Sequence, residues 1–278
     1  MSTLPPRKPT PLELERAVRQ QAGFGCCKCG NAVFQYHHIV ERSEKPEEIM
    51  TLCPNCHDEA TKGAMTKEDQ WKYKSQPFNI VNGYAQGQLK VNHDIPVIHV
   101  GTMQLVHNGD IIIVDGEALL SLYVDNGRLE LSAKLYDPNG QLLAEIDRNV
   151  WKSDDPFPWD IESSYQWLKI RHKSRAISLD LDLRKFPITL RAELWRNGQN
   201  FSLDPSQIKF DGVVKDFRMI HLCLVGLRFE VNSKSDALTL GPDPRFGQGL
   251  IISEADLETR IQKGIDGWKQ LEKKASAS

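Results

Sequence analysis

No stretch of the 278-residue sequence approaches the roughly 18 consecutive apolar residues that a membrane-crossing helix needs. The polar opening MSTLPPRKPTPLELER has no apolar segment of the kind a signal peptide carries. A cytoplasmic protein with no membrane partner is therefore expected. An excess of one charge is lacking too. The 35 Lys and Arg nearly balance the 37 Asp and Glu, for a net charge of −2. Composition neither demands nor forbids nucleic acid, because a basic patch on one domain can be offset by another. Cysteine is scarce outside one window: Cys26, Cys27, Cys29, Cys53 and Cys56 crowd the N-terminal region, and Cys223 stands alone. That distribution argues against the evenly stapled framework of a secreted disulfide protein and favours a metal site.

The length allows about two domains, and the texture of the chain changes along it. A proline-rich arm, PPRKPTP, precedes PLELERAVRQQAGF, which reads as a short helix with Leu12, Leu14 and Val18 on one side and Gly23 and Gly25 ending it. TKEDQWKYKS opens with Thr-x-x-Asp, the pattern of a capping box, and predicts a second helix. Residues 77–96 carry turn residues and little periodicity and read as a linker. From Val97 onward, short alternating or β-branched runs are separated by HNGD, VDNG and DPNG, in which Asn-Gly supplies the positive φ of a tight turn. LELSAKLYDPNGQLLAEI aligns with ITLRAELWRNGQNFSL, matching Ala133 to Ala192 and Leu135 to Leu194. This implies an all-β domain with related halves, either a sandwich or a short solenoid. The final segment, SEADLETRIQKGIDGWKQLEKK, places Leu257, Ile261, Ile265, Trp268 and Leu271 near one helical face, with Ser253 able to cap. It suits core packing or a contact with a second copy or partner protein. The expected class is α+β: an N-terminal domain over 1–76, a linker over 77–96, a β-rich domain over 97–250 and a C-terminal helix over 251–278.

The pairs Cys26-x-x-Cys29 and Cys53-x-x-Cys56 lie about two dozen residues apart, the spacing of a zinc ribbon. Four thiolates close a tetrahedral site, which makes this zinc structural and leaves Cys27 as a spare. The histidines need a separate role. His37 and His38 end an alternating strand, so their side chains point to opposite faces. His57 follows the second cysteine pair at the start of a helical stretch. A helix packed by the zinc against that strand would bring His57 close to the strand's end. An open metal site there, beside a free imidazole, suits hydrolysis of a phosphodiester.

The block CCKCGNAVFQYHHIVERS…IMTLCPNCHDEATKG resembles the HNH nucleases of the ββα-metal (His-Me finger) fold over roughly residues 17–76. The resemblance implies a DNA endonuclease in which His37 and His57 bind a catalytic divalent ion such as Mg2+ or Mn2+, and His38 is the general base. It also implies that the cysteines hold structural Zn2+. One departure stands out: Glu48 occupies the place of the family's asparagine, which helps to orient the base, and an ionised carboxylate accepts hydrogen bonds but donates none. Lys62, Arg42, Lys72 and Lys74 are candidate contacts to the DNA backbone, within a scatter of positive charge that includes Arg16, Arg19 and Lys28. QWKYK can stack bases on Trp71 and Tyr73, or bury both as core aromatics.

In the β-rich half, Asp154 and Asp155 fall in a turn, and Asp180 and Asp182 in an alternating strand. Both pairs read as surface carboxylates, and His221 and Cys223 as side chains of one strand. This half is expected to recognise, regulate or assemble, for instance in bacterial antiviral defence. Two rivals stand beside the nuclease: a non-catalytic zinc ribbon that binds nucleic acid or protein, and an effector silenced by its β-rich domain until a ligand binds.

Overall fold

Pro11 has no N–H to leave unsatisfied, and it opens helix α1 (Leu12–Gln21), whose first turn carries Glu13 and Glu15 and whose last turn carries Arg19. The computed structural model describes residues 11–100, 102–152, 159–211, 213–216, 221–235 and 237–277. The proline-rich arm and the Asp154–Asp155 turn lie outside them. The chain divides into two compact units, Met1–Gln86 and Gly87–Ser278. Mixed α and β structure, mostly β, with a helix at the C-terminus agrees with the expected class.

In the first unit α1 buries Val18 and Arg19, while Leu12, expected to face inward, is 78% exposed. Strands β1 (Gln35–His38) and β2 (Ile49–Leu52) form an antiparallel pair in which His37 faces Met50 and His38 faces Ile49. Helix α2 (Pro54–Thr61) follows at once, with Pro54 at its first position. Helix α3 (Lys67–Ser75) has the capping box predicted for it: Thr66 accepts from the Asp69 N–H while the Asp69 carboxylate accepts from the Thr66 N–H. The segment read as linker holds α4 (Phe78–Asn82) and β3 (Tyr84–Gln86). Asn79 is fully buried there and donates to the Gly23 carbonyl at 2.9 Å. A Cβ on Gly25 would stand 2.1 Å from Asn79 Nδ2, so only glycine lets α4 approach the first cysteine turn. The core combines Ala22, Ile39, Met50, Leu52 and Met65 with Cys26, Cys27, Cys53 and Cys56.

The second unit starts with β4 (Leu89–Lys90) and the hairpin of β5 (Val97–Val100) and β6 (Met103–Val106). One meander runs through β7 (Gly109–Val114), β8 (Glu117–Asp125), β9 (Arg128–Tyr136), β10 (Leu142–Asp147) and β11 (Val150–Lys152). Another runs through β12 (Asp160–Ser164), β13 (Trp167–Lys173), β14 (Ala176–Asp182), β15 (Ile188–Arg196), β16 (Gln199–Leu203), β17 (Gln207–Phe210) and β18 (Val213–Asp216). The chain returns through β19 (Leu222–Val225), β20 (Leu227–Asn232), β21 (Ala237–Pro242) and β22 (Leu250–Ser253) to helix α5 (Leu257–Ala275). The first meander forms one sheet with β20 and β21. The second is joined by β5, β6, β19 and β22 in another. The β-rich unit therefore carries two large sheets, each built mainly from a meander. The aligned repeats are the hairpins β9–β10 and β15–β16, one in each sheet, with Ala133 and Ala192 both buried.

Two turn expectations part company. Asn126 and Gly127 have φ of 49° and 73° and close the β8–β9 hairpin as predicted. HNGD is not a hairpin turn: β6 and β7 belong to different sheets, so it is a crossover. At the C-terminus, Asp256 rather than Ser253 caps α5, accepting from the Thr259 N–H. Helix α5 packs on β6, β19 and β22, which bears out its core-packing reading. Its buried residues include Ile261, Trp268 and Leu271, whereas Leu257 is 38% exposed. Close approach depends on Gly264, where a Cβ would stand 2.5 Å from Cys223 Sγ.

Candidate metal and imidazole site

The first cysteine pair sits in a turn closed by hydrogen bonds from Cys26 N to Asn31 O and from Gly30 N to Cys26 O, both 2.8 Å. Gly30 adopts a φ of +77°, and a side chain there would strike Phe78 and Asn79. Cys53 is the N-cap of α2 and Cys56 lies in its first turn. The ligand atoms of Cys26, Cys29, Cys53 and Cys56 all lie within 4.8 Å of one another. Cys29 Sγ is 3.6 Å from Cys53 Sγ and 3.9 Å from Cys56 Sγ. Four sulfurs about 2.3 Å from a tetrahedral zinc are about 3.8 Å apart, so the cluster has the dimensions for such an ion. Cys29 is the exposed member of the set; the others are buried. Two of the thiols are held protonated by their surroundings. The neighbouring Cys26 thiol and burial push Cys29 up, and burial, reinforced by neighbouring cysteines, pushes Cys56 up to about 12. A bound divalent ion reverses this, because the thiolate is the ligand. Cys27 stays apart as expected: buried in the core, it lies with Sγ 3.6 Å from Thr51 Oγ1.

The same β1–β2–α2 arrangement brings two of the predicted histidines together. The rings of His37 and His57 meet edge to face with centroids 5.1 Å apart. His37 Nε2 lies 3.2 Å from Gln70 Oε1. Burial holds His37 below the usual histidine range; the Gln70 hydrogen bond opposes this, and the neighbouring His57, Lys67 and His38 charges add to it. Burial thus favours the neutral form of the ring, the form in which an imidazole can bind a metal. His57 Nδ1 lies 3.4 Å from Thr61 Oγ1, one turn along α2. His38 is half-buried at the last position of β1, and its register with Ile49 puts it on the opposite face from His37.

Glu48 ends a short 3-10 turn, Pro46–Glu48. Its carboxylate is engaged by Ser43 and by Lys45 Nζ at 3.4 Å, and these contacts, the Ser43 hydrogen bond first, hold it below the usual carboxylate range. Its main chain serves the histidine strand more directly: the Glu48 carbonyl accepts from Ile39 N at 2.9 Å, fixing the residue after His38. Among the described residues, the four cysteines are the one set of three or more side chains grouped to hold an ion. An ion on His37 and His57 would take its remaining ligands from water or phosphate.

The basic residues do not converge. Lys62 is paired with Asp58 at 2.9 Å, Lys28 with Glu59, and Lys74 donates to Gln21 Oε1 at 2.7 Å. Arg42 is exposed in the β1–β2 connection and Lys72 is exposed on α3. Arg19 is buried against Tyr36. QWKYK divides between its two readings: Tyr73 packs on the core, and Trp71 is 42% exposed. In the second unit Asp180 pairs with Lys169 and Asp182 with Arg184, Cys223 is buried and His221 is exposed.

Two buried polar features escaped the sequence reading. Gln70 is 2% exposed, and nothing in KEDQW distinguishes it from a solvated helix position. His107 and Asp243, 136 positions apart in the chain, are both buried, with His107 Nε2 3.7 Å from Asp243 Oδ2. Burial lowers His107 to about 4, opposed by the Asp243 charge and reinforced by Arg245. No protein-family model, curated protein or solved structure matches this chain.

Proposed function

We propose that the N-terminal unit is a divalent-ion-dependent DNA endonuclease of the HNH type, stiffened by a structural zinc. The observation that carries this reading is the 5.1 Å edge-to-face approach of His37 and His57. A ribbon that only binds has no need of two facing imidazoles beside its four thiols. His37 and His57 would hold the ion, which when bound would supply charge stabilisation at the scissile phosphate and the leaving oxygen. His38 takes a proton from the attacking water; the water oxygen bonds to phosphorus as the bond to the leaving sugar oxygen breaks. Arg42 and Lys72, both exposed, act on the phosphate backbone, with Lys62 and Lys74 able to join if they exchange Asp58 and Gln21 for phosphate. Two imidazoles suit a first-row transition ion such as Mn2+ better than Mg2+, which prefers oxygen ligands. The C-terminal unit serves as the accessory module that recognises, regulates or assembles.

A second reading, a zinc ribbon that binds nucleic acid without cutting it, draws on two observations. His38 shares the face of Ile49 rather than that of His37, and the Glu48 carboxylate is taken by its own turn. Nicking of supercoiled plasmid with Mg2+ or Mn2+ separates the two. The nuclease reading expects His38→Ala to lose about 10²–10⁴-fold in rate with zinc content and DNA binding retained. Glu48→Asn should leave the rate equal or raise it. DNA retention with no cutting in either metal, on any DNA form, establishes the binding module instead.

A further inference from the structure

The side chain of Gln70 bridges two groups inside the first unit. Its amide nitrogen donates to the Met65 carbonyl at 3.2 Å, and its oxygen stands 3.2 Å from His37 Nε2. A carbonyl only accepts, so the amide has one workable orientation; the flipped amide would set two oxygens against each other. With that orientation fixed, Gln70 Oε1 can only accept, and the hydrogen between it and His37 belongs to Nε2. A neutral imidazole carries one N–H, so the lone pair of His37 is on Nδ1. For a neutral His57 ring the same count applies. Thr61 Oγ1 donates its single hydrogen to the His57 carbonyl at 2.8 Å. Toward His57 Nδ1, 3.4 Å away, that hydroxyl therefore accepts, which leaves the lone pair of His57 on Nε2.

We propose that Gln70, from the helix beyond the cysteine and histidine block, is a positioning residue that selects the His37 tautomer, so that a divalent cation is held through His37 Nδ1 and His57 Nε2. This rests on the reading of His37 and His57 as a ligand pair. The reasoning is that of outer partners in metal sites generally: the hydrogen bond at one ring nitrogen decides which nitrogen faces the ion. Gln70 is buried, and its amide is held at both ends, so the selection is built before any ion arrives.

The test uses the full-length, zinc-loaded protein and 15N NMR of its histidine rings, with Mn2+ added afterwards. In the wild-type protein His37 should show a protonated Nε2 and an unprotonated Nδ1. Gln70→Met removes the acceptor and should shift His37 toward the other tautomer. Gln70→Glu keeps an acceptor toward His37 Nε2 but sets its second oxygen against the Met65 carbonyl, so it should fold less stably while His37 keeps its protonated Nε2. Mn2+ should broaden the His37 and His57 signals, with affinity about 10–100-fold weaker in Gln70→Met. An unprotonated Nε2 on His37 in the wild-type protein overturns the proposal even if Gln70→Met fails to fold. So does an unchanged tautomer in a folded Gln70→Met. The expected tautomer with no effect of Mn2+ on either ring overturns the ligand pair, and the nuclease reading with it.

Discussion

The two units of this chain build their interiors from different materials. The first has one antiparallel pair of four-residue strands, and its core counts Cys26, Cys53 and Cys56 among its members. The second buries fully apolar residues along both meanders, among them Ile111, Leu120, Leu131, Leu179, Leu190 and Phe201. Each such side chain contributes about 1.5–3 kcal/mol when removed from water, so the second unit has the means to hold itself together. The first unit is the smaller of the two, and a smaller domain buries a smaller fraction of its surface. Its interior includes four thiols that are spaced to hold an ion. The difference teaches where to expect fragility: metal supply in one unit, packing and buried charge in the other.

The largest effect should come from breaking that difference at its source. Cys56→Ser, or removal of zinc by a strong chelator, should unfold the first unit, because structural zinc in such sites is worth about 10–16 kcal/mol. Hydrogen exchange should show the amides of β1, β2 and α2 losing protection while those of β8 and β9 keep theirs. Protection that survives in β1 and β2 would show that the apolar core suffices after all.

The second unit should instead be sensitive to volume. In Gly264→Val the first added carbon already lies 2.5 Å from Cys223 Sγ and 3.0 Å from Val106 Cγ2. Overpacking of this kind costs about 1–3 kcal/mol, read as a lower denaturation midpoint for the β-rich unit with zinc content unchanged. A midpoint equal to wild type would mean that α5 is held off the sheet.

Acid should sharpen the contrast further. His107 is held below its ordinary 6.5, at about 4, by burial, so the folded state binds fewer protons than the unfolded one between those values. Its contribution to stability is whole above pH 6.5 and drains away as the pH falls toward 4. Asp243 acts in the same direction at lower pH: burial raises it, but the hydrogen bonds from Arg245 outweigh that and hold it down. Denaturation of the β-rich unit at pH 7 and pH 5 should therefore show lower stability at pH 5, and His107→Phe should flatten the dependence. A pH-independent wild type would exclude the buried pair as the cause.

The smallest effect is expected from the spare cysteine. Cys27→Ser keeps volume and can donate to Thr51 Oγ1, whose own hydrogen goes to the Gly25 carbonyl. It should cost about 1 kcal/mol and leave zinc stoichiometry unchanged by elemental analysis. A lost zinc would place Cys27 among the ligands.

What the sequence determined on its own is whatever a few neighbouring residues decide. Thr66 and Asp69 cap their helix because both partners lie within one turn, and Asn126-Gly127 tolerates the positive φ that its hairpin requires. The paired Cys-x-x-Cys spacing sets two thiols per turn, and the four sulfurs do gather within 4.8 Å. Only the tertiary structure decided the rest. His-Asn-Gly-Asp carries the local signal of a hairpin, yet it crosses between sheets because β6 and β7 pair with different partners. Asp256 displaces Ser253 as the cap of α5 because β22 extends through Ser253 to pair with Leu222. His37 meets His57 and Gln70, and His107 meets Asp243, across 20, 33 and 136 positions. No local preference encodes such meetings; they follow from which faces of distant elements the folding of the chain buries together.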